Sequence, residues 1–178
     1  MKKFFLLILI IAAVHIASAQ VKYPVIKANV AFKIKNMGIA TGGTIGGVQA
    51  DINFSKDKPE TSTITATADV NTINTDNDMR DGHLKGDGFF DVAKYPKITM
   101  KSVAIKHKSR NNYLGTFNVT IKDKTKQIAV PFTFIVNGSA AEFKGSFKIL
   151  RTDFGVGDSS MVLSNDVTVD IDIQTTSS

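Results

Sequence analysis

Met79-Arg80-Asp81-Gly82-His83-Leu84-Lys85-Gly86-Asp87-Gly88-Phe89-Phe90-Asp91-Val92-Ala93-Lys94-Tyr95-Pro96-Lys97-Ile98-Thr99-Met100 interrupts an otherwise strand-like chain. Its first half suits a short polar helix. Thr75 or Asp76 caps it, Asp76 and Asp78 occupy the first turn, where free N–H groups favour negative charge, and Gly86 ends it. Met79 and either His83 or Leu84 then face inward. A Phe pair follows. Pro96 holds Tyr95 extended and starts a new strand.

Outward from this break, the hydrophobic period is two. Val30, Phe32 and Ile34 share one face, as do Val48, Ala50, Ile52 and Phe54. Ile64, Ala66, Ala68 and Val70 alternate with Thr65, Thr67 and Asp69. Phe117, Val119 and Ile121 follow the same rule, then Phe143, Gly145, Phe147 and Ile149, and finally Val167, Val169, Ile171 and Ile173. Ile98–Ile105 and Ile128–Val136 add two less regular strands, with Pro131 on the parity opposite Phe132 and Phe134, which suggests an edge or bulge. Alternation with charge on one face only predicts about eight antiparallel strands with one wet side, closed as a sandwich or barrel. The break falls between the third and fourth strands. Thr41-Gly42-Gly43-Thr44-Ile45-Gly46-Gly47 lacks the Lys-Ser/Thr of a phosphate loop and reads as a turn and bulge.

Lys2 and Lys3, the uncharged run Phe4–Val14 and the small residues Ala17-Ser18-Ala19 read as a signal peptide over residues 1–19, cleaved before Gln20. The run is shorter than the roughly 20 residues of a membrane span, so no transmembrane segment is expected in the mature chain and the protein is expected in the periplasm or secreted. Residues 20–178 suit a single domain. Losing Lys2 and Lys3 lowers the formal net charge from +6 to +4. The charges are interspersed, which disfavours nucleic acid. The chain has no cysteine, which removes thiol chemistry, and His83 and His107 are isolated, so no metal site is expected. No nucleophile motif is present, and no residue is nominated as catalytic.

The central stretch resembles the signature of the YceI-like family. Tyr113-Leu114-Gly115-Thr116-Phe117-Asn118-Val119-Thr120-Ile121 with Thr125-Lys126, and Arg151-Thr152-Asp153-Phe154-Gly155, are similar to two further elements of that family, in the same order and spacing. The family's Asp…His-Ser opening is replaced here by Lys22–Asn29, without a histidine. The resemblance implies an all-β, eight-stranded antiparallel, lipocalin-like barrel that binds a polyisoprenoid lipid, such as a polyprenyl phosphate or a quinone. It also makes a homodimer plausible, and it implies no cofactor.

A barrel of this size either fills with side chains or holds one slender ligand. The expected apolar lining is Phe32, Phe54, Ala66, Ala68, Phe117, Phe132, Phe134, Phe143 and Phe147, where small residues among large ones leave room. The alternative is that the Phe rings fill the core. Arg80 and Arg151 are the candidates for an anionic head group. Alternatively, they pair with Asp81, Asp87 or Asp153 to fasten loops over the barrel end. Phe89-Phe90 and Tyr95-Pro96 either gate the mouth or pack beneath the helix. A ligand-free interaction module is the competing function.

Overall fold

The computed structural model describes residues 21–176. The expected leader lies outside them. Ten strands are assigned: β1 (Val21–Lys22), β2 (Val25–Asn36), β3 (Ile39–Ile45), β4 (Gln49–Phe54), β5 (Thr63–Asp69), β6 (Lys97–Ser109), β7 (Asn112–Ile121), β8 (Lys124–Asn137), β9 (Ala140–Leu150) and β10 (Leu163–Thr176). They form one antiparallel sheet in the order β1-β4-β5-β6-β7-β8-β9-β10-β2-β3.

Pairing register reduces the ten to eight. Val21 faces Phe54 in β1–β4, and Val30 faces Ile45 and Asn36 faces Ile39 in β2–β3. All three pairs have residue numbers summing to 75, so β1 and β2 are halves of one long arm, and β3 and β4 are halves of the next. Tyr23 N–H still donates to Ile52 O at 2.8 Å. Then the first arm bends away. Pro24 has no N–H to give to the ladder, its carbonyl accepts from Thr176 instead, and Val25 pairs with Thr175 of β10. One arm therefore bonds to both ends of the sheet, and the sheet closes into a barrel. The second arm breaks at Gly46-Gly47, with Gly47 at φ +59°. The Gly-rich run is thus mostly strand, with only Gly46–Val48 as the break. Gly42 lies against the backbone of Phe32 on β2, and Gly43 serves because β3 pairs there while the segment at Asn74-Thr75 crosses it. A Cβ on Gly43 would collide with Asn74 O and lie 2.8 Å from Thr75 Cγ2.

Pro131 stands where the β8–β9 ladder stops. That ladder begins at Phe132↔Gly145, while β7–β8 pairing continues past it. The opened strands admit a 3-10 turn, Arg151–Phe154, whose Phe154 is buried among Phe117, Val130 and Phe147.

The helix α1 (Asp78–Lys85) follows β5, between the third and fourth arms of the barrel. Asn77 is its cap, accepting from Arg80 N–H at 2.9 Å. Thr75 and Asp76 precede it, with Asp76 at φ +58°. Thr75 belongs to the core side instead: Asp81, 8% exposed, takes both its N–H and its hydroxyl. That anchor sets the rotation of α1. Asp81 faces the barrel, and Met79 points to solvent at 87% exposure rather than inward.

Candidate ligand-binding cavity

Strict alternation on β7 buries every second side chain, from Tyr113 through Phe117 and Val119 to Ile121. The same parity on other strands gives a different result. Val30, Phe32, Ala66, Ala68, Val167 and Val169 point inward but remain partly exposed. What they face is a cavity of about 400 Å³. Its wall is overwhelmingly apolar, and this volume lies within the roughly 300–1,000 Å³ of known ligand sites.

One end of the barrel is plugged. Phe54 packs edge-on against Tyr113 (5.1 Å between centroids) and Phe143 (5.5 Å), and lies 4.8 Å from Phe134. Tyr23 adds an edge contact to Phe134 at 5.3 Å. Such pairs contribute about 0.5–1.5 kcal/mol each beyond area burial. Of the expected lining, Phe32, Ala66, Ala68, Phe117, Phe132, Phe143 and Phe147 border the cavity. Phe54 and Phe134 do not. They share the inward parity but sit deeper, where neighbouring rings leave no open volume. Burial raises the Tyr23 and Tyr113 hydroxyls above the ordinary phenol range.

The other end is covered by α1, the Phe89-Phe90 turn and the 3-10 turn, and here polar groups reach the cavity: Thr41, Thr75, Arg80, His83 and Arg151. Arg80 Nε donates to Thr75 Oγ1 at 2.8 Å, and its Nη2 to Thr75 O. Arg151 is 4% exposed. Its Nε donates to Ser164 O (2.9 Å), Nη1 to Val156 O (2.9 Å) and Nη2 to Leu163 O (3.3 Å). Burial pulls its guanidinium below the usual arginine range, with Asp158 acting in the opposite sense. Among the described residues neither arginine forms a salt bridge. The expected pairing with Asp81, Asp87 or Asp153 is therefore absent: Asp81 is engaged by Thr75, and the carbonyls of the 156–164 loop need the Arg151 donors. A guanidinium carries five N–H donors, so neither arginine is exhausted by these bonds.

Beyond the expected lining, His83 (placed inward as an alternative to Leu84), Phe89 and Phe90 (read as gate or packing) and Met100 also border the cavity. Met100 was detectable from strand parity. The other three depend on how α1 docks. His83 meets Phe89 edge-on at 4.9 Å between centroids, and a Cβ on Gly157 would meet both the Phe89 ring and Arg151 Nη1. His83, Phe89 and Arg151 thus form a continuous stretch of rim. Among the described residues, no cluster of three or more His, Asp or Glu side chains is arranged to hold a metal, and no helix is long and apolar enough to cross a membrane.

Comparison with known proteins matches the YceI-like domain over residues 25–175. A UPF0312 protein of Pseudomonas syringae pv. tomato is 31% identical over 151 residues, covering 79% of each chain. The crystal structure of Burkholderia cenocepacia BcnA superposes with a TM-score of 0.80 at 27% identity, over 83% of this chain and 95% of that one. A polyisoprenoid binding domain from Saccharophagus degradans shares the fold, with a TM-score of 0.61 at 14% identity, over 90% of this chain and all of the other. With its signature stretches, its barrel and these relatives in agreement, the chain belongs to the YceI-like family.

Proposed function

We propose that the protein holds one isoprenoid-class lipid in its barrel, as a carrier, buffer or scavenger in the periplasm or outside the cell. The observation that carries this reading is the apolar cavity of about 400 Å³ bordered by inward side chains of the strands, with Arg80, His83 and Arg151 gathered at its α1 end. A hydrocarbon chain entering it gains about 0.8 kcal/mol per buried CH₂. Arg80, His83 and Arg151 supply donors and positive charge for a polar head, which suits a polyprenyl phosphate or a quinone carbonyl. The Saccharophagus degradans domain adds support at the level of the fold. The open volume favours this reading over a ligand-free interaction module, which requires side chains to fill the barrel.

The test is native purification of the mature protein, organic extraction and mass spectrometry. The expected result is one long-chain lipid per barrel, or uptake of added polyprenyl lipid by an empty one. A barrel that is empty and also refuses added lipid refutes the proposal.

A further inference from the structure

The rim carries apolar side chains that the fold does not use. Met37, Ile39, Met161 and Val162 are 75%, 73%, 104% and 53% exposed. They form one patch: Met37 N–H donates to Val162 O at 2.7 Å, and Asn36 pairs with both Ile39 and Leu163. Asn36 and Leu163 border the cavity, so the patch is continuous with the cavity mouth. Met37 also occupies an unfavourable place. It lies at φ +51°, before Gly38 at φ +79°, in a two-residue hairpin turn. Such turns favour Asn, Asp or Gly, because both central residues need positive φ. Here a long apolar side chain is held in that conformation and directed into solvent, 75% exposed among the described residues.

We infer that this patch is a docking face for a lipid bilayer, through which the cavity exchanges its cargo. The inference builds on the lipid-holding function proposed above. A long isoprenoid chain is driven out of water, so loading from a membrane requires a route that keeps the chain out of solvent. An apolar lip at the mouth provides one. A second copy of the chain fits less well, since four side chains fall far short of the roughly 20 residues a side in a standard interface. Charge near the patch is mixed. Along the two segments that form it, Lys35 is offset by Asp158 and Asp166, so docking is apolar and does not need anionic lipid.

The test uses the mature protein with phosphatidylcholine vesicles carrying a fluorescent polyprenyl lipid. Two variants are compared with the parent: Met37→Asn, and the quadruple Met37→Asn/Ile39→Thr/Met161→Ser/Val162→Thr. The parent should float with neutral vesicles at low and high salt. The quadruple variant should lose flotation and load from vesicles at least tenfold more slowly, while binding the same lipid normally when it is added from dilute solvent. Met37→Asn should raise the melting temperature and still slow loading. Equal loading rates in parent and quadruple variant overturn the inference. So does flotation that salt abolishes, or a parent dimer that the quadruple variant loses. A parent that takes up no lipid by either route refutes the cargo function instead, and flotation then judges the docking face by itself.

Discussion

Ala66→Leu separates a cavity from a packed core by the sign of its effect. Ala66 lies on β5 between Ala50 of β4 and Met100 of β6, and all three border the open volume. A dry, closed void of about 400 Å³ would cost on the order of 10 kcal/mol at roughly 24 cal/mol per Å³. That rivals the whole stability of a domain, about 5–15 kcal/mol, so a dry void is disfavoured against one filled by lipid, water or added side-chain volume. Leucine adds three carbons to it. At about 0.8 kcal/mol each the gain is at most about 2.4 kcal/mol, and lost rotamer freedom takes back about 0.5–1 kcal/mol. Urea unfolding of the delipidated variant should therefore show a gain of about 1.5 kcal/mol, with a melting temperature roughly 3–6 °C higher. Binding of added polyprenyl lipid should weaken in parallel. In a packed barrel the same leucine costs about 1–3 kcal/mol. A loss of that size, with lipid binding unchanged, would falsify the assignment of this volume as a binding cavity.

Three further outcomes follow from named contacts. Arg151→Met leaves the carbonyls of Val156, Leu163 and Ser164 without their donors; it should cost about 2–4 kcal/mol, and hydrogen exchange should localise the loosening to residues 156–164. Gly43→Ala drives a methyl against Asn74 O and Thr75 and breaks the Thr44–Asn74 bridge; urea unfolding should register a loss of about 1–3 kcal/mol, and an unchanged midpoint would contradict the close crossing of β3. Tyr23 and Tyr113 have phenol pKa values raised by burial. Relative to an unfolded value near 10, their contribution to stability is whole below that pH and is lost as pH rises toward the folded values. Ultraviolet titration should show both tyrosines ionising late, together with alkaline unfolding; normal titration of all three tyrosines in the folded protein would contradict the plug.

Much of the barrel could be read in one dimension. A period of two is the signature of a strand with one dry face, and it located six strands cleanly. Pro131 marked a ladder end because a proline has no N–H to offer, wherever it stands. The helix was legible as an interruption, but its rotation was not. Asn77, Thr75 and Asp76 are all competent caps, and the choice of Asn77 followed from Asp81 finding Thr75 across the turn. That contact put Met79 outside and brought Arg80, Leu84 and His83 to the cavity.

The two kinds of information divide along a physical line. Alternation, turn residues and the signature stretches reflect local preferences and face polarity, so the sequence by itself determined the antiparallel all-β barrel and the sidedness of most residues, while the short β1 and the Gly-rich β3 came only with the structure. Depth along the barrel axis is not a local property. Phe54 and Phe134 obey the same parity as Phe32 and Phe147, yet the first two are sealed in the plug and the others border open space. Only the tertiary structure decided which inward rings meet other rings and which meet a void. It also decided that Arg151 serves three carbonyls rather than a carboxylate, because strands far apart in the chain set what lies across the barrel from each side chain.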